Sequence, residues 1–138
     1  MGLGALHHIA LTVTDLNRSR TFYEPIFSFL GYTNTHNFPG FDIWESQSTG
    51  VELTIWQAKP ELVNHKQYDY APGLHHLAFY ADSGEQVDAF YQLLLDIHAN
   101  VVDPPAEYDY IPGYYAVFFR DPDDIRIELV HIPNINVE

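Results

Sequence analysis

Two histidine pairs and two glutamates are the residues of this chain from which chemistry could be built. GALHHIALTVTD occupies residues 4–15 and GLHHLAFYAD residues 73–82, so a His-His dipeptide opens two similar stretches, its second histidine recurring 68 residues on. Residues in each stretch alternate as in a strand with one packing face. In the first, Ile9, Leu11 and Val13 share a face with His7, and His8 lies opposite with Ala10 and Thr12. In the second, Leu77 and Phe79 side with His75, and His76 lies opposite with Ala78 and Tyr80. The same test on GVELTIW groups Val51, Leu53 and Ile55 and leaves Glu52 opposite with Thr54 and Trp56. In IRIELV, Ile127 and Leu129 pack while Glu128 faces away with Arg126. His8, Glu52, His76 and Glu128 therefore fall on the non-packing faces of four strands, with His7 and His75 expected to pack.

Any one of these four, taken alone, reads as an ordinary solvated strand residue. Repeated in register, two imidazoles and two carboxylates suit a divalent transition metal with water in the remaining positions. Such an open site polarises a carbonyl, stabilises an enediolate or binds a ligand directly.

The elements that must hold these residues also repeat. Asp15 is placed as the N-cap of a helix through DLNRSRTFYEPIFSFLGY, with Phe22, Ile26, Phe29 and Leu30 as its apolar face and Gly31 as its stop. Pro25 should kink or restart that helix. FDIWES and GVELTIWQA read as strands separated by the turn-rich SQSTG. In the second half, Ser83 and Gln86 form a capping box ahead of QVDAFYQLLLDIHAN, whose Val87, Phe90, Leu94 and Ile97 share one face. GYYAVFFRD and IRIELVHI then read as strands around the turn RDPDD. Phe22-Tyr23 matches Phe90-Tyr91 at the histidine offset of 68, whereas VELTI at 51–55 matches IELVH at 127–131 at an offset of 76. The difference is assigned to an insertion around VVDPPAEYDYIP. Each half is thus β-α-β-β(-β), too small to bury its apolar face alone, so the halves should pack together or pair with another chain.

The whole chain bounds the function classes. Its 138 residues suffice for one compact unit with a hydrophobic core. Six Lys+Arg against 19 Asp+Glu give a net charge of −13, which disfavours nucleic acid and anionic membranes as partners. With no Cys, disulfides and thiol nucleophiles are excluded. Residues 1–8 carry no basic, apolar leader pattern, so a cytoplasmic location is expected.

HHIALTVTDLNRSRTFY, VELTI, GLHHLAFYAD and FFRDPDDIRIELV together resemble the vicinal oxygen chelate superfamily. Its members include glyoxalase I, extradiol dioxygenases, methylmalonyl-CoA epimerase and the fosfomycin and bleomycin resistance proteins. The resemblance implies an α+β fold: one domain over 1–138, built of paired βαβββ modules at about 5–58 and 73–133. A loop at about 59–72 joins them, and a curled mixed sheet surrounds a cleft. It implies one divalent ion (Zn, Ni, Fe or Mn) on His8, Glu52, His76 and Glu128, and often a homodimer. The His-Glu-His-Glu set is most similar to glyoxalase I. That implies lyase or isomerase chemistry on a small substrate with vicinal oxygens, with Glu128 or Glu52 as the base moving a proton. Glutamate beside a cation has a lowered pKa, so the base must loosen from the metal to act. Thr12 stands where glyoxalase I carries an arginine for the glutathione carboxylate, so a glutathione conjugate is not expected. The alternatives are an extradiol-type dioxygenase using His8, His76 and Glu128, and a non-catalytic ligand-binding protein of the bleomycin resistance type. DPDD replaces the family's usual DPDG, and Asp124 is expected to occupy its left-handed turn position.

A second echo lies in YDYAPG at 68–73 and YDYIPG at 108–113. Tyr68, Tyr70, Tyr108, Tyr110 and Tyr114 read either as turn residues or as a rim supplying stacking surface and hydroxyl donors. Trp56 and His65 are weaker pocket candidates. His36, His98 and His131 are given surface or structural roles, and Arg18 and Arg20 an exposed helix face.

Overall fold

The structure, a computed structural model, describes residues 2–133, so the ends of the expected 1–138 domain lie outside the described residues. The chain divides into two compact units, residues 1–65 and 66–138. The division falls within the segment expected to join two modules, where Pro60–Leu62 forms a single 3-10 turn.

The first unit contains β1 (His8–Val13), α1 (Leu16–Phe29), β2 (Tyr32–Phe38), β3 (Phe41–Ser46) and β4 (Glu52–Gln57). The second contains β5 (Leu77–Tyr80), α2 (Gly84–Asp96), β6 (Asn100–Tyr108), β7 (Tyr114–Arg120) and β8 (Arg126–His131). The α+β fold expected is present as two open four-stranded sheets, ordered β1-β4-β3-β2 and β5-β8-β7-β6. Each is mixed: β1 with β4 and β5 with β8 run parallel, and the remaining pairs are antiparallel. Each parallel pair brings the first strand of a module beside its last, which carries the glutamate.

Both helices start as their sequences require. The Asp15 side chain accepts from Arg18 N at 3.1 Å, and Ser83 Oγ accepts from Gln86 N at 3.2 Å. Gln86 Oε1 reaches back to Asp82 N at 2.7 Å. α2 buries Val87, Phe90 and Leu94 as expected. α1 instead buries Leu16, Ser19, Tyr23, Ile26 and Phe27, leaving Phe29 largely exposed. This set keeps the three-and-four spacing of an inward stripe, rotated from the face predicted. Tyr23 and Phe27 stack at 4.7 Å, and Phe27 meets Trp44 edge-on at 5.4 Å. Arg20, expected on an exposed face, forms a two-pronged pair with the buried carboxylate of Asp42, both contacts 2.8 Å.

Two strands escaped the sequence. β2 reads YTNTHNF, too polar to stand out, because it is an edge strand with mostly exposed side chains. β6 occupies the segment read as an insertion. Its Pro104 and Pro105 sit where the register with β7 shifts, and it too is an edge strand, where proline is tolerated. The second unit also has a covering on its other sheet face: Ala116, Phe118 and Val130 pack with Val102, Tyr108, Tyr114 and Ile132.

α1 runs through Pro25 without the restart that was one of the two outcomes expected there. Proline there withholds the N–H that would bond to the Thr21 carbonyl. Pro25→Ala should therefore stabilise the protein by about 1–3 kcal/mol, seen as a higher urea midpoint at unchanged m-value.

Candidate metal centre

In the second unit, the pairing of β5 with β8 sets Ala78 opposite Glu128, and β7 sets Phe118 opposite it on the other side. His76 precedes β5 by one residue and reaches the same face. Its Nε2 lies 3.3 Å from Glu128 Oε1. Glu128 is only 2% exposed, contrary to its placing on a solvated face, because the Tyr108–Tyr114–Phe118 covering shuts it in. Its other oxygen, Oε2, accepts a short hydrogen bond from the Tyr114 hydroxyl. Burial first, and then this bond to Glu128, push the Tyr114 phenol well above the ordinary tyrosine range.

The His75 and His76 rings share one hydrogen bond between their Nδ1 atoms, 2.6 Å apart. One Nδ1 must carry the proton and the other accept it. If His76 accepts, its neutral ring holds the proton on Nε2, the nitrogen that lies 3.3 Å from Glu128 Oε1. If His76 donates, Nε2 turns a lone pair toward the carboxylate, an arrangement that a cation between them would satisfy. Metal–nitrogen and metal–oxygen bonds of about 2.0–2.2 Å place neighbouring ligand atoms about 3.0–3.5 Å apart, so the His76–Glu128 separation fits two ligands of one ion.

The first unit repeats the pairing with a slip. His8 stands directly opposite Glu52 in the β1–β4 ladder. The ion-pair contact to Glu52, however, comes from His7, with Nε2 3.7 Å from Oε2. His7 Nδ1 and His8 Nδ1 are 2.8 Å apart. The expectation that His7 and His75 pack inward is overturned: both are exposed, since each precedes its strand and escapes the alternation. Among the described residues, no three or more His, Cys, Asp or Glu side chains gather as a metal cluster; each unit presents its own His–Glu pair.

The aromatic candidates separate into groups. Trp56 stacks on Phe41 at 4.0 Å in the first unit, its indole N–H donating to Thr54 Oγ1 at 2.9 Å. In the second, Tyr108 and Tyr110 stack at 5.6 Å, and Tyr110 meets Tyr114 edge-on at 5.2 Å, beside Glu128. Tyr70 meets His75 edge-on at 4.7 Å, while Tyr68 and His65 are exposed. Two neighbours went unremarked in the sequence. Phe118 lies 6.3 Å from the His76 ring and carries the Arg126 guanidinium 4.6 Å above its face. Asp69 is clamped by Arg120 through contacts of 3.0 and 2.8 Å, fastening the YDY segment to β7. Arg126 shared a strand face with Glu128 and was readable; Asp69 lies 51 residues from Arg120 and was not.

The hydrogen bonds from Arg120 hold the Asp69 carboxyl below its ordinary value. A depressed folded-state pKa gives stability that is present above the unfolded value of about 3.9 and is lost as pH falls through the folded value. Asp69→Asn should thus lower stability at neutral pH and flatten its decline below about pH 4, measured by urea unfolding across pH.

A sheet-and-helix module used twice, each copy presenting a His–Glu pair at its parallel strands, defines an α+β protein of the glyoxalase type. The chain belongs to the glyoxalase/bleomycin resistance protein/dioxygenase superfamily, whose family model matches residues 5–129. It is 36% identical over 129 residues to the uncharacterized protein YqjT of Bacillus subtilis, covering 91% of this chain and 97% of that one. It is 25% identical over 128 residues to the metallothiol transferase FosB of Lysinibacillus sphaericus, covering 93% and 82%. A crystal structure of a candidate glyoxalase from Bacillus halodurans aligns with a TM-score of 0.85 at 27% identity, covering 94% of this chain and 97% of that one.

Proposed function

We propose that this chain is a metal-dependent lyase or isomerase acting on a small, non-glutathione substrate with vicinal oxygens. The observation that carries the reading is the buried Glu128 carboxylate with His76 Nε2 at 3.3 Å, in a chain of this superfamily. The metallothiol transferase among its relatives supports metal dependence. The ligands are drawn from His8, Glu52, His76 and Glu128. A bound divalent ion would supply Lewis acidity toward two adjacent substrate oxygens.

The two glutamates divide the work. Glu128 is held at Oε2 by Tyr114, with His76 3.3 Å from Oε1, and serves as a fixed ligand. Glu52 is more open, its side chain 24% exposed, with the exposed His7 3.7 Å away. That freedom suits the base that takes a proton from one substrate carbon and returns it to the next. Tyr108 and Tyr110 supply aromatic surface beside the fixed ligand.

Metal content and affinity of purified wild type, His76→Ala and Glu52→Gln test this, together with turnover of non-glutathione hemithioacetals and of catechols. His76→Ala should weaken metal binding at least about tenfold. Glu52→Gln should retain most metal and lose turnover by about 10²–10⁴-fold. Wild type that takes up no stoichiometric divalent ion under any loading would sink the reading in favour of a binding protein. Catechol cleavage that survives Glu52→Gln would replace it with the dioxygenase.

A further inference from the structure

We infer that Tyr114 is a positioning residue that holds Glu128 to a single free oxygen. The inference rests on the metal reading above and deepens it. On β7, Phe118 stands opposite Glu128 and Ala116 opposite Val130, so Tyr114 lies two same-face positions along from Phe118. To reach Glu128, the Tyr114 ring must span the position of Ala116, and only a side chain that small leaves the path clear. Its hydroxyl donates to Glu128 Oε2, while Oε1 alone is turned to His76.

The ring is fixed from several sides. Tyr108 and Tyr110 meet it edge-on at 6.2 and 5.2 Å. It also packs on the cluster of Ala116, Phe118 and Val130. The chain enters β7 through Gly113, whose φ is +81° and whose missing Cβ would stand 2.4 Å from Pro133 Cγ. A left-handed residue with proline against it admits only glycine, so the backbone fixes where Tyr114 begins. The carboxylate can engage an ion through Oε1, and can chelate with both oxygens only by giving up the phenol. Tyr114 thereby keeps Glu128 a one-oxygen ligand and leaves coordination positions for substrate.

Cobalt(II) titration of full-length wild type and Tyr114→Phe, followed by visible absorption and calorimetry, tests this. Phenylalanine keeps the ring contacts and removes only the donor. The variant should stay folded by circular dichroism, bind Co(II) about 10–100-fold more weakly, and show weaker visible bands as Glu128 turns both oxygens to the ion. Ala116→Val, which crowds the ring aside without removing the phenol, should move the spectrum in the same direction. A Tyr114→Phe protein with wild-type affinity and spectrum overturns the inference even if its Tm falls, because Tyr114 then only packs. Wild type that takes up no Co(II) overturns the metal reading and this inference together, which distinguishes the two failures.

Discussion

A carboxylate shut away from water is the constraint on which the second unit depends. Burying an ionised carboxylate without partners is costly, and breaking a buried arrangement by removing one partner costs more than the arrangement contributes. Glu128 is tolerated because Tyr114 satisfies one oxygen and His76 faces the other. Several features follow from keeping that arrangement intact. Residue 116 must be small, and β6 with the loop at 109–113 must be long enough to bring Tyr108 and Tyr110 against Tyr114. The apolar residues on this face shield the carboxylate as much as they pack.

The two modules show how a repeat can keep its fold while its sites diverge. In the first, His8 pairs directly with Glu52; in the second, Ala78 pairs with Glu128, and the histidine sits two residues earlier. A slip of two residues preserves side-chain parity, whereas a slip of one would turn the histidine to the other face. The histidine–glutamate pairing therefore survives, but the surroundings do not. Glu52 has no tyrosine donor among the described residues and stays partly open, while Glu128 is enclosed.

Strand alternation and helix capping were legible because they depend on neighbours in sequence. Asp15, Ser83 and Gln86 cap as their types require, and Asp124 adopts its left-handed φ of 66°. The polar edge strand β2 was not legible, since an edge strand need bury neither face. The inward face of α1 was misjudged because Phe22 and Phe29 are as apolar as the residues that pack, and tertiary contacts alone choose among them. At the candidate site, the faces of Glu52 and Glu128 were readable, but the burial of Glu128 was not. It depends on Tyr114 leaning along its strand over an alanine, a direction that spacing does not encode. The same applies to the exposure of His7 and His75, which precede the strands whose pattern was extended to them.

Charge supplies the last step. The chain carries −13, and three of its few cations are already committed. Arg20 pairs with Asp42, Arg120 with Asp69, and Arg126 lies 3.5 Å from Asp103 and 4.0 Å from Asp69. An anionic group approaching Arg126, the cation beside Phe118 and Glu128, would have to displace carboxylates that already surround it. It would also meet the negative field of the whole molecule, which lowers the encounter rate for anions. A neutral substrate meets neither obstacle. It would bring oxygen atoms to the ion and a flat or apolar body to the tyrosines, an arrangement suited to stacking and to phenolic hydroxyl donors. On the proposed function, the surplus of acid would act as a filter against the multiply charged thiol conjugate that an arginine at position 12 would have served, and in favour of small uncharged oxygen chelators.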